Sequence, residues 1–148
     1  MTRKLCLIIT IALCLLSACG PVSVMPPEPA APKERAGTVS FEVSAKNAVN
    51  WGKDGLPEDG GLFPAQSVPL LEGDSVLDIL IRTLPDTENR SGYVAGILGL
   101  REKDCGAASG WYYYVNGEAP LMSAAKYYPA DGDVIRFLFT VKAGDIPY

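Results

Sequence analysis

Only one stretch of this 148-residue chain has the apolar spacing of a convincing long helix. Val76, Leu77, Leu80, Ile81 and Leu84 recur at one-, three- and four-residue steps, which lines them into a single stripe. Asp74 or Ser75 can cap its start by accepting from the first free amides. Pro85 ends it, because the proline ring disfavours helical backbone at the residue before it. Asp78 and Arg82, four apart, are expected to pair on the polar face. A domain with one helix must complete its core with sheet, and the remaining sequence reads that way.

Val39 to Ser44 alternates apolar and polar residues, the period of a half-buried strand. Asn50 to Gly61 is rich in Gly, Asp and Pro and reads as a loop. Ser67 to Leu71 is a short strand whose Pro69 points to a sheet edge or a bulge. After the helix, Tyr93 to Leu100 reads as a strand broken by glycines, and Trp111 to Val115 as an aromatic strand. Asn116-Gly117 follows it, a pair that tolerates the positive φ of a tight hairpin turn. Asp131-Gly132-Asp133 is another turn, and Val134 to Val141 closes the sheet. The expected order is β-β-α-β-β-β, one helix against one face of a mixed sheet. That is an α+β domain, for which a ubiquitin-like β-grasp is the compact arrangement.

The N-terminal segment carries an address instead of a fold. Arg3 and Lys4 precede the apolar run Leu5 to Leu16, the length of a signal peptide's hydrophobic region and too short to span a bilayer. Leu16-Ser17-Ala18-Cys19 then resembles the bacterial lipobox, in which cleavage exposes an acylated cysteine. The expected organisation is therefore a lipoprotein signal peptide over 1–18, a lipidated Cys19 and Pro/Ala-rich tether over 19–38, and a folded domain over 39–148. Five prolines between Pro21 and Pro32 favour extended polyproline-like backbone, which at ~3.1 Å per residue could reach up to ~55 Å. Cleavage would remove two of the 13 basic residues and none of the 17 acidic ones, leaving a side-chain charge of −6. Anionic headgroups repel such a surface, so the lipid on Cys19 would hold the chain to the extracytoplasmic face of a cell membrane, without a polybasic patch.

The residue inventory excludes several chemistries. The sequence contains no histidine, so no imidazole can serve as base, ligand or proton shuttle. A net charge of −4 argues against nucleic acid as a partner. Asp131 and Asp133 resemble part of a calcium loop, yet no further acid follows at the required spacing. Glu58-Asp59 and Asp86 to Glu88 read as loop charges. Of the four cysteines, Cys6 and Cys14 belong to the signal segment and Cys19 to the lipid, leaving Cys105 without an internal disulfide partner. The expectation is a protein that is not an enzyme, holds no metal and requires no cofactor.

The aromatic run is the main functional clue. On a strand Trp111 and Tyr113 share one face, and Tyr112 and Tyr114 the other. One pair should pack on the helix while the other offers a flat apolar platform with hydrogen-bonding tips. Leu121-Met122 could add a soft contact at its rim, and Trp51 stands out as a tryptophan in a loop region.

Ser109-Gly110-Trp111-Tyr112-Tyr113-Tyr114-Val115-Asn116-Gly117-Glu118, followed by Ala125-Lys126-Tyr127-Tyr128-Pro129-Ala130-Asp131-Gly132-Asp133-Val134, resembles the transcobalamin C-terminal-like family. Gly73 to Asp78 and Tyr93 to Gly99 are similar to that family's helix start and middle strand, so the resemblance covers Phe41 to Val141. These are small β-grasp domains found on bacterial surface lipoproteins. In animal transcobalamin and intrinsic factor the domain is the smaller lid over cobalamin, opposite a larger helical domain that this sequence does not show. The resemblance implies a ligand site at Trp111, Tyr113, Leu121 and Met122. Trp111 and Tyr113 match the family's aromatic strand, and Pro120-Leu121-Met122 its ligand-facing loop. The expected function is a surface-anchored lipoprotein whose β-grasp domain binds cobalamin or a related corrinoid. The alternative is a module that docks a surface protein or cell-wall glycan, with no small-molecule ligand.

Overall fold

Most of the helical stripe read from the sequence faces the core, but Ile81 is exposed and Ile79 is buried in its place. In the computed structural model, which describes residues 32–145, an α-helix occupies Val76–Thr83 (α2). It buries Val76, Leu77, Ile79 and Leu80. Each side chain of this size contributes about 1.5–3 kcal/mol when taken fully out of water. Its start is fixed by a reciprocal cap. The Ser75 hydroxyl accepts from the Asp78 amide, and the Asp78 carboxylate accepts from the Ser75 amide at 2.9 Å. Asp78 is thereby committed to the cap, and the expected Asp78–Arg82 pair does not form. Arg82 instead reaches the buried carboxylate of Asp74 at 2.7 Å.

Around this helix the chain is α+β, with seven strands and a second short helix in the described region. Strand β1 (Arg35–Ser44) is followed by α1 (Lys46–Trp51) and β2 (Gly61–Leu71). After α2 come β3 (Thr87–Arg90), β4 (Tyr93–Ile97), β5 (Leu100–Arg101), β6 (Gly110–Val115) and β7 (Val134–Thr140). Four strands form one mixed sheet in the order β2-β1-β7-β6, in which β1 and β7 run parallel and the other neighbours antiparallel. The other three form a separate antiparallel sheet, β3-β4-β5. Pro69 lies in β2, the edge strand, where its missing N–H costs no ladder bond on the open side. The core gathers α2 with Val39, Phe41 and Val43 of β1, Ile135, Phe137 and Phe139 of β7, and Ile97 of β4.

Several expectations are corrected. The single sheet is two sheets, and the single helix has a short companion. Folded structure starts at Arg35, inside the segment assigned to the tether. Pairing with β2 carries the strand back to Arg35, and Asp131 Oδ1, 93 residues away, accepts from the Thr38 amide at 2.8 Å. Gly37 makes room, since a side chain there would collide with the Asp131 carboxyl. Asn50 and Trp51 belong to α1 and not to the following loop. Tyr93 to Leu100 is a hairpin that reverses at Leu98 and Gly99, not one strand. Glu88 lies in β3, where its carboxylate pairs with Arg101 at 2.6 Å. The signal segment 1–18, Cys19 and the tether as far as Ala31 lie outside the described residues.

Candidate ligand cleft

The aromatic strand β6 divides its side chains as strand geometry requires. Trp111 is buried and Tyr113 half-buried, and both pack into the core that contains α2. On the opposite face Tyr112 is exposed, while Tyr114 is buried beside Leu138. The Trp111 ring stands edge-on to Phe139 at 5.1 Å, and its indole N–H donates to the Leu100 carbonyl at 2.9 Å. That bond ties β6 to the small sheet and satisfies a polar atom that burial would otherwise make costly.

At the seam between the sheets lies an open cleft of about 440 Å3. Trp111, Tyr113, Leu121 and Met122, the four residues singled out from the sequence, all line it. Their roles differ. Trp111 and Tyr113 contribute to the floor with Val94 and Phe137, whereas Leu121 and Met122 stand on the rim. Leu121 is fully exposed at 105%, so the apolar group most available to a partner sits at the lip.

Two local structures hold the walls. One is the turn Ser91-Gly92 between β3 and β4, where both residues adopt positive φ (51° and 92°). A side chain on Gly92 would press on Ala125 at 3.1 Å, so glycine lets the turn approach the opposite wall. The other is the segment 119–127. The Tyr113 hydroxyl donates to the Met122 carbonyl at 2.8 Å. The first amides of α2 secure the next part, with Leu77 donating to Ala124 and Val76 to Tyr127, at 3.0 and 2.9 Å. These are the orphan donors every helix start presents.

Tyr93 completes the cleft, and Tyr112 borders it from the other face of β6, where it also lines a depression with Tyr114 and Thr140. Tyr93 and Tyr112 are about half exposed, and the Tyr93 hydroxyl donates to Glu102 at 2.8 Å. Glu102 also pairs with Arg90 at 3.0 Å. The hydrogen bond to Glu102 raises the Tyr93 phenol above its ordinary value, with burial acting in the same direction. Burial, and then the neighbouring Tyr127, does the same to Tyr113. Both phenols are therefore neutral hydrogen-bonding groups at physiological pH. Sequence reasoning missed Tyr93 because its strand alternation gives no sign of the turn that turns it outward.

The other candidates lie elsewhere. Cys105 is buried, and burial pushes its thiol up, away from the reactive thiolate. Asp133 accepts from Asn116 and Ala130, each at 2.8 Å, and Asp131 holds Thr38, so both carboxylates serve turns. Among the described residues no cluster of His, Cys, Asp and Glu could hold a metal ion.

A family model described as a domain of unknown function (DUF4430) matches residues 73–141, from just before α2 to just after β7. Haptocorrin in complex with Cbi is similar in structure, at 16% identity over 71% of this chain, with a TM-score of 0.48. This chain spans 25% of that one. A "putative metal binding protein" from Ruminococcus gnavus ATCC 29149 is similar at 15% identity, over 72% of this chain and 97% of that one, with a TM-score of 0.43. No curated protein matches the sequence.

Proposed function

We propose that the chain is a lipid-anchored binding module which presents the cleft to a flat, largely apolar ligand of the corrinoid class outside the cell membrane. The observation that carries this reading is the convergence of Tyr93, Leu121 and Met122, all exposed, on one cleft with Trp111 and Tyr113 beneath them, while the exposed Tyr112 borders it from the other face of β6. Soluble proteins rarely leave clustered apolar surface uncovered without a use for it. Ligand sites are usually concave and mainly apolar, with a few placed polar groups. Here the phenols and the backbone of the 119–124 segment supply those groups. The sheet order β2-β1-β7-β6 around a parallel central pair, with α2 in the same core, supports a β-grasp arrangement. The resemblance of Ser109–Glu118 and Ala125–Val134 to transcobalamin-like domains supports a corrinoid in particular.

The lipobox at Leu16–Cys19 supports the anchor. Labelled palmitate should enter the full chain and be lost in Cys19→Ser. Calorimetric titration of the full chain in detergent with cobalamin and cobinamide tests the ligand. Saturable binding, weakened at least tenfold in Leu121→Ala/Tyr112→Ala, is expected. These side chains are exposed, so their loss should spare the fold. Equal affinity in that variant, or no binding by the parent chain, overturns the assignment. The second reading, docking of a surface protein or glycan with no small ligand, draws on Leu121, whose full exposure suits a partner's pocket. Crosslinking through that position would capture such a partner.

A further inference from the structure

A second site lies on residues that the ligand cleft does not use. Trp51 ends α1, and 60% of its surface is exposed. One exposed apolar residue needs no explanation by itself. Trp51, however, borders a separate depression of about 270 Å3, with Asn47 and Asn50 of α1 and Val141, Lys142 and Asp145 after β7. None of these residues lines the cleft.

The end of α1 that carries the ring is closed by its own chain and tied to a neighbouring loop. Gly52, at φ 95°, closes the helix directly after it, donating to Val49 at 2.9 Å. A side chain at Gly106 would meet the ring edge at 3.9 Å, and Lys53 pairs with Asp104 of that same loop at 3.5 Å. The opposite wall is equally fixed. Asp145 accepts from the amides of Val141 and Lys142, at 2.8 and 3.1 Å, and from the Thr140 hydroxyl, while its carbonyl accepts from Asn47 at 3.1 Å. The Asp145 carboxylate is thus spent on its own turn. The Asn50 amide and the Lys142 ammonium have no polar partner among the described residues and remain available at the rim.

We propose that this depression is a carbohydrate subsite, in which the Trp51 indole stacks on the C–H face of a pyranose ring while Asn50 and Lys142 hydrogen-bond its hydroxyls. The lining favours a sugar because a pyranose has one apolar face and an edge of hydroxyls. An indole bordered by amides and one ammonium matches both. A purely hydrophobic ligand would leave those polar groups desolvated without partners. Because the turn that forms the opposite wall is fixed before binding, that wall adds little ordering cost to the complex.

The test is an array of pyranose oligosaccharides probed with the full chain in detergent, beside Trp51→Ala and Asn50→Ala/Lys142→Ala. The parent chain is expected to bind at least one glycan, with at least a tenfold loss in each variant. Circular dichroism should be unchanged, since all three side chains are exposed. Corrinoid titration of Trp51→Ala should match the parent, which separates this site from the cleft. Absence of glycan binding by the parent chain, or undiminished binding in Trp51→Ala, overturns the proposal.

Discussion

Tyr113 shows how a single hydroxyl can shape a binding rim. Its ring is packed against Phe137 and Tyr127, and its oxygen holds the Met122 carbonyl. Tyr113→Phe keeps the ring and removes only the bond, so it should cost about 0.5–1.5 kcal/mol of stability. Thermal unfolding checks that figure, and corrinoid affinity should fall by a larger factor than the same loss applied elsewhere, because the rim loosens. Cys105 gives a second residue-scale prediction. Buried and held as the thiol, it should react with a thiol reagent only after unfolding, so native protein should resist modification and denatured protein react at once. At this scale the sequence was informative about Trp111, Tyr113, Leu121 and Met122 sharing a place, through strand alternation and a matching loop. It left open which aromatic pair would be buried and gave no sign that Tyr93 would face outward. Those outcomes depend on the second sheet, which no local pattern announces.

Among the elements, α2 was the most legible, because stripe, cap residues and terminating proline agree. Its partners were not. The chain offered Asp78 two roles, and the cap prevailed because a neighbouring backbone amide is a nearer donor than a flexible Arg82 guanidinium. Ser75→Ala should cost about 0.5–2 kcal/mol, readable by denaturant unfolding. Asp74 is a stronger case. Its carboxylate is buried and meets Lys33 and Arg82 at 3.0 and 2.7 Å, with the Leu71 amide donating at 2.9 Å. Burial alone would raise its pKa, but the Leu71 amide and the two cations outweigh it and hold the group below its ordinary 3.8. The stabilisation is therefore complete above that unfolded value and is lost as pH falls through the folded one. Asp74→Asn should lower stability at neutral pH by about 1.5–3 kcal/mol. It should also flatten the acid limb of a stability–pH curve, whereas an unchanged limb would contradict the role. The elements that escaped the sequence, α1, β3 and β5, are short. Each is fixed by distant contacts, such as Ala45 donating to Gly60 at 2.7 Å and Arg101 pairing with Glu88.

On the scale of the whole molecule, the cleft exists because two sheets meet along β6. Trp111 bridges them through Leu100, and α2 braces the loop that forms the outer wall. The floor is thus part of the core, and the rim is the part free to respond to a ligand. Truncating the floor should damage the fold: Trp111→Ala should cost about 3–5 kcal/mol, whereas Leu121→Ala should leave stability nearly unchanged. The most direct test of the central claim is amide and side-chain NMR of the full chain as cobinamide is added. The account predicts saturable shifts at Tyr93, Tyr112, Leu121 and Met122, with Trp51 unmoved. Shifts centred away from the cleft, or no shift at saturating ligand, would contradict it.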